Sequence, residues 1–165
     1  MKYSSAIFLA LLGATSALPA ELESRAVTND PISFTNGPSL TQSFTCGGIK
    51  YTGKDIYNAA QKGTNLHIGK ETRGKKLYPH PFDKNDSKGV KLVFPKECPA
   101  DKDRYEYPLK KNSVYDGGKS NQSQGDERVV FYYEDGEVDD KKVNKVYYCG
   151  IMTHKGAAPG GFVLC

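Results

Sequence analysis

Of the three histidines in the chain, two stand where an imidazole can do chemistry: His80 closes Tyr78-Pro79-His80, and His154 follows the apolar run Gly150-Ile151-Met152-Thr153. Glu106 lies between aromatic residues in Tyr105-Glu106-Tyr107-Pro108-Leu109, and Arg128 opens the apolar run Val129-Val130-Phe131. Successive side chains of a strand point to opposite faces, so Glu106 is committed to one face while its tyrosine neighbours take the other. A charge held on one face of a strand needs a partner, and Arg128 is the candidate. A glutamate, two histidines and an arginine are the set that phosphodiester transfer to a neighbouring hydroxyl requires. Such a reaction needs a base for the hydroxyl proton, an acid for the departing oxygen and fixed positive charge for the phosphorane. Taken singly, each of these residues is more often structural, and spacing alone leaves a convergent site and unrelated surface residues evenly matched.

The elements that must position this set read as extended after Leu77, at 90–94, 104–109, 128–133, 143–153 and 161–164. Residues 43–51 alternate around Gly47-Gly48, which predicts a short hairpin. Thr52 then stands as a helix cap with Asp55 three residues on, and Ile56, Ala59 and Ala60 are spaced for one helical face. Gly63 is expected to end that helix, the only one the sequence predicts. The class is therefore α+β, one α-helix packed on a central twisted antiparallel β-sheet. Residues 134–145 are strongly charged and are expected to be a long solvated hairpin connection. His67 is expected to be structural.

Residues 1–17 have the pattern of a secretory signal peptide: Lys2, an apolar run from Ala6 to Leu12, then the small-residue site Thr15-Ser16-Ala17. That run is far shorter than the ~20 residues that span a bilayer. Residues 18–42 are polar and turn-rich and are expected to be a loose N-terminal extension, with Arg25 marking a candidate propeptide boundary. Residues 43–165 make a single domain. The four cysteines, Cys46, Cys98, Cys149 and Cys165, sit in a chain expected to be exported, where thiols persist as disulfides. Composition does not choose among their three pairings. A metal reading is weak, because there is no Cys-x-x-Cys and only His154 lies within ligand spacing of a cysteine. The net charge of +4 is an ordinary solubility level. Its distribution says more, since Lys70, Arg73, Lys75, Lys76, Lys84, Lys88 and Lys91 crowd around Tyr78-Pro79-His80 and would draw phosphate there. Two sequons, Asn85-Asp86-Ser87 and Asn121-Gln122-Ser123, fall in predicted loops.

Tyr78-Pro79-His80, Tyr105-Glu106-Tyr107-Pro108-Leu109, Asp126-Glu127-Arg128-Val129-Val130-Phe131, and Gly150 to Ala157 through Phe162-Val163-Leu164-Cys165 resemble, in order, the four signature segments of the fungal guanyl-specific ribonucleases. Thr45-Cys46-Gly47 and the helix after it also fit, so the resemblance covers roughly residues 44–165. The N-terminal extension and residues 134–145 lie outside it. The resemblance implies the microbial ribonuclease fold and a secreted, extracellular endoribonuclease. Such an enzyme cleaves single-stranded RNA to 2′,3′-cyclic phosphate and then 3′-phosphate ends, with no metal or other cofactor. It implies Glu106 as the base with His80 beside it, His154 as the acid, Tyr78 as a hydrogen bonder to phosphate and Arg128 as its fork-shaped cation. Phe162 would form an apolar wall. The same resemblance implies the bridges Cys46–Cys165 and Cys98–Cys149, the second as in the purine-preferring branch and the ribotoxins. The expected state is a monomer whose partner is single-stranded RNA, with no metal and no membrane.

The chain departs from the family at the loop after His80, where Phe82-Asp83-Lys84-Asn85-Asp86-Ser87-Lys88 replaces the residues that read the base. Phe82 is the candidate for stacking on a base, and Asp83 and Asp86 for accepting from a purine edge, so a guanine or purine preference is expected. Ala158-Pro159-Gly160-Gly161 lacks the family's asparagine. Two alternatives are a ribotoxin-like enzyme and a non-catalytic RNA-binding effector acting on host or competitor RNA. The short connection from Cys98 to Glu106 and the retained Phe162 argue against the first, and the intact Glu, His and Arg set argues against the second.

Overall fold

The computed structural model describes residues 29–82, 92–99, 101–118, 122–138 and 141–165, with only the backbone for 136–138 and 141–143. The expected signal peptide and propeptide boundary, Asp83, Lys84, Asn85, Asp86, Lys88, Lys91 and Asn121 lie outside the described residues.

In chain order the elements are β1 (Ser33–Thr35), β2 (Ser43–Cys46), β3 (Ile49–Thr52), α1 (Gly53–Ile68), β4 (His80–Pro81), β5 (Tyr105–Pro108), β6 (Glu127–Val138), β7 (Lys141–Thr153) and β8 (Val163–Leu164). The main sheet runs β1-β7-β6-β5-β4, with β8 pairing the end of β7, while β2 and β3 form a separate hairpin. Pairing is antiparallel from β4 to β8, and β1 joins β7 in parallel. Its place corrects the reading of residues 18–42 as loose throughout, because Phe34 stands opposite Val146 and Ile32 is buried. Residues 134–138 and 141–145 are likewise strand, not loop. The β6–β7 ladder continues from Glu134↔Lys145 to Val138↔Lys141. Glu134 and Lys145, directly opposed, are a cross-strand pair of opposite charge that favours this pairing. Residues 92–94, read as extended, form no strand.

The helix begins as the sequence predicts. Asp55 N donates to Thr52 Oγ1 at 3.2 Å and Thr52 N to Asp55 Oδ2 at 2.8 Å, a reciprocal cap. It does not stop at Gly63 but runs to Ile68. A Cβ on Gly63 would lie 2.8 Å from Phe131 Cζ and 3.2 Å from Tyr107 Cβ, so this glycine marks close approach of helix to sheet, not a terminus. Ile56, Ala59, Ala60 and Leu66 pack there against Tyr107, Val129, Phe131 and Ile151.

The opposite face carries a second cluster of Val130, Tyr132, Met152, Phe82, Leu92, Phe94 and Phe162, which includes Cys98 and Cys149. The bridges are Cys46–Cys165 and Cys98–Cys149, closing separations of 119 and 51 residues. Loops of this length contribute about 4–5 kcal/mol each on the chain-entropy model. The first bridge ties the β2–β3 hairpin to the chain's last residue, and the second ties the segment before β5 to β7.

Candidate active site

Alternation along β5 and β6 sorts their side chains between the two faces. Tyr105, Tyr107, Val129 and Phe131 go to the helix, so Glu106, Arg128 and Val130 go to the other side. Glu106 is opposed by His80 on one flank and Val130 on the other, and Arg128 by Pro108 and Met152. Residues directly opposed across a ladder share a face. His154 follows β7, its N–H donating to Asp126 O at 3.2 Å, and so continues the Met152 side one step on.

Glu106 Oε1 lies 3.1 Å from His80 Nε2 and 4.0 Å from Arg128 Nε. Arg128 is 1 % exposed, a cost met by several partners. Its Nε donates to the Tyr78 hydroxyl at 3.1 Å, and its Nη1 to the carbonyls of Gly125 at 2.9 Å and Glu127 at 2.8 Å. Tyr78 is stacked on the His80 ring with centroids 4.7 Å apart, and Arg128 lies 5.1 Å from the Tyr78 ring centre. Because the Tyr78 oxygen accepts from Arg128, its own proton is available to a different acceptor.

Burial pushes the Glu106 carboxyl up to about 7, against the opposing pull of the Arg128 charge. Its Oε2 is buried with no hydrogen-bond partner among the described residues. Burial also lowers the His80 imidazole; the Pro81 carbonyl opposes that shift, while Arg128 and Lys76 add to it. His80 Nδ1 lies 3.2 Å from Pro81 O. A carbonyl only accepts, so Nδ1 carries a proton. Neutral His80 therefore turns a lone pair on Nε2 toward Glu106, and one proton shared by the pair satisfies both.

On the other flank His154 Nδ1 lies 2.6 Å from Gly161 O, which by the same logic leaves Nε2 to carry the exchangeable proton. The ring is stacked on Phe162 with centroids 3.8 Å apart. Phe162 meets Phe82 edge-on at 6.0 Å, and Phe82 meets Phe94 at 5.8 Å. Phe82 is thus buried behind Phe162 and does not present a face for a base to stack on. The structure brings Tyr78, His80, Glu106 and Arg128 into direct contact and sets His154 with Phe162 on the same side. His67 is elsewhere, its ring 4.1 Å from Tyr105 and 5.1 Å from Tyr133. Of the basic crowd, Arg73 is engaged with Glu71 at 2.8 Å.

Three residues around the site were not singled out from the sequence. Glu127 is buried facing the hairpin, where Thr153 Oγ1 donates to it at 3.3 Å and Gly47 approaches so closely that a Cβ would be 2.1 Å from Oε1. Gly47 has φ +57° there, which glycine adopts without strain. Arg104 is buried, its guanidinium donating to Cys98 O and lying 4.5 Å from the Phe94 ring centre, so it fixes the segment that covers the site face. Lys110, two residues past Pro108, lies beside Arg128 and Gly125. Only the period-two spacing Glu106, Pro108, Lys110 hints at it. Among the described residues there is no group of three or more His, Cys, Asp and Glu placed to hold a metal ion, and no helix long and apolar enough to cross a membrane.

One helix laid across a twisted sheet, with the charged set on the sheet's far side, is the α+β fold of the microbial ribonucleases. The chain belongs to the ribonuclease family, whose model matches residues 39–165. It is 32% identical over 132 residues to guanyl-specific ribonuclease T1 of Aspergillus oryzae, covering 78% of this chain and 84% of the relative. Guanyl-specific ribonuclease F1 of Fusarium fujikuroi is 30% identical over 127 residues, 77% and 79% of the two chains. Guanyl-specific ribonuclease U1 of Ustilago sphaerogena is 33% identical over 127 residues, 74% and 94%.

Proposed function

We propose that this chain is a secreted endoribonuclease that cleaves single-stranded RNA by transesterification, with guanine as the preferred base 5′ to the cut. The observation that carries the reading is Glu106 itself. It is a buried carboxyl raised to about 7, with one oxygen against His80 and the other without a partner among the described residues. A base tuned near the working pH is the one that transfers protons best.

In this reading Glu106 takes the proton of the 2′-hydroxyl, with His80 sharing the charge that develops. The 2′-oxygen then bonds to phosphorus as the bond to the 5′-oxygen breaks, and His154 Nε2 gives that oxygen its proton. The Tyr78 hydroxyl donates to a non-bridging oxygen, and Arg128 opposes the phosphorane charge from 4.0 Å behind Glu106. A water later reopens the 2′,3′-cyclic phosphate with the roles of Glu106 and His154 reversed. The guanine preference rests on the relatives' names; Asp83 and Asp86 remain the candidates for reading the purine edge. Secretion rests on the leader-like residues 1–17 and on two disulfides.

Incubation with GpN, ApN, UpN and CpN dinucleotides in chelator tests the reading. Fastest release of guanosine 2′,3′-cyclic phosphate is the expected result. A single ribosomal fragment with no dinucleotide cleavage would make it ribotoxin-like instead, and RNA binding without any cleavage would make it a binder.

A further inference from the structure

We propose that Lys110 forms a phosphate subsite for the leaving strand, holding the phosphodiester one nucleotide 3′ of the cleaved bond. The proposal rests on the roles given above to Glu106 and His154. The ladder between β5 and β6 continues one residue past Pro108, since Leu109 N donates to Glu127 O at 3.0 Å. Leu109 is buried with the helix-side cluster, so alternation returns Lys110 to the face of Glu106 and Pro108. Lys110 follows Leu109 directly and feels the charge of Asp126, whose carbonyl receives His154 N at 3.2 Å. Lys110, Asp126 and His154 thus lie in a row just outside β5, β6 and β7, each two residues beyond Pro108, Arg128 and Met152 respectively.

That row lies on the side from which the product leaves. His154 protonates the departing 5′-oxygen, so the strand 3′ of the cut must emerge on its side. Lys110 is half-buried, and its ammonium lies where a Cβ on Gly125 would be only 2.8 Å away. Gly125 is the residue whose carbonyl takes Arg128 Nη1 at 2.9 Å. Burial and the Arg128 charge both work against the ammonium form, while Glu127 and Asp126 favour it. It makes no hydrogen bond or ion pair with any described residue. A partly desolvated amine with three donors and no acceptor gains most from an arriving anion. Arg128 is engaged with Tyr78 and backbone carbonyls and so serves the scissile phosphate, while Lys110 is left for the next one.

The test compares GpN with GpNp, the same dinucleotide bearing a terminal 3′-phosphate, at low salt. Cleavage of GpN by the unaltered protein checks the ribonuclease reading by itself, and the ratio of the two kcat/KM values checks Lys110. The unaltered protein should cleave GpNp several-fold faster than GpN, through KM. Lys110→Ala should bring the ratio to about one and flatten the salt dependence of GpNp cleavage. Lys110→Arg should restore the preference. A ratio that survives in Lys110→Ala, or both substrates falling by one common factor, overturns the proposal, the second result making Lys110 a support for Arg128. Matching urea midpoints for the variants confirm that the comparison is between folded proteins.

Discussion

Glu106 and His80 face each other directly across β4 and β5, with Oε1 3.1 Å from Nε2, and the carboxyl of the pair is the more buried partner by far, 3 % exposed against 36 %. One proton therefore decides the charge of this pair. An ordinary carboxylate paired with a histidine would put the acid limb of the rate profile near pH 4–5. Burial moves it.

The first expectation follows from that shift. Glu106 must be ionised to accept a proton and is raised to about 7, so kcat/KM for a dinucleotide should fall as pH drops through about 7. The limb should lie well above the ordinary carboxylate range. The measurement is a pH profile at constant ionic strength. A plateau extending down to pH 5 would show that the free enzyme's base is not a buried Glu106.

Stability should carry the opposite sign. A group whose folded pKa exceeds its unfolded value stabilises the fold below the unfolded value and loses that contribution as pH rises through the folded one. For Glu106 the window runs from the ordinary 4.5 to about 7. Glu106→Gln carries no charge to bury, so it should be close to neutral at pH 4 and more stable than the parent at pH 8, by up to about 3 kcal/mol at 1.36 kcal/mol per unit. Urea unfolding at the two pH values reads this directly. The same variant should lose activity by at least ~10²-fold, the scale of a removed general base. A variant weaker than the parent at pH 8 would mean the carboxylate is a net structural partner of Arg128.

On the acid side, His154→Ala should also lower kcat by at least ~10²-fold while leaving the fold intact. His67→Gln is the control, since its ring packs on Tyr105 and Tyr133 away from the charged face. Retained activity in His154→Ala would remove the acid from the scheme.

What the sequence revealed and what it hid follow from how local each signal is. Thr52 and Asp55 announce a helix start because the reciprocal cap is satisfied within four residues. Strands β5, β6 and β7 were legible from aromatic and β-branched runs, and Glu106 and Arg128 from charges set in them. The edge strand β1 was not, because Ser33-Phe34-Thr35 has no pattern of its own and is strand only by pairing with Lys145 to Tyr147. Phe82 looked available because it follows Pro81 in a polar loop. Its burial depends on Phe94 and Phe162, 12 and 80 residues away in the chain. Arg104 and Glu127 were invisible as supports for the same reason, since their partners Cys98 and Gly47 meet them only in three dimensions.

Gly63 shows the same conflict between local and distant signals, and it supports the last prediction. By propensity, alanine in the middle of α1 should stabilise the helix by about 1 kcal/mol over glycine. Packing opposes this, because the new Cβ would be 2.8 Å from Phe131 Cζ and 3.2 Å from Tyr107 Cβ, distances at which rings and strand must shift. Overpacking of a filled core costs about 1–3 kcal/mol, so Gly63→Ala should come out net destabilising. Tyr107 is the neighbour of Glu106 on β5, and Phe131 faces Tyr105 across the ladder, so movement of these rings tilts the strand that aims the base. Activity should then fall further than the unfolded fraction accounts for, with the pH profile of kcat/KM displaced as the burial of Glu106 changes. Urea unfolding and that profile, measured on the same preparation, decide it. A Gly63→Ala protein that is more stable than the parent, with an unmoved acid limb, would mean that helix and sheet yield to the methyl group without disturbing Glu106.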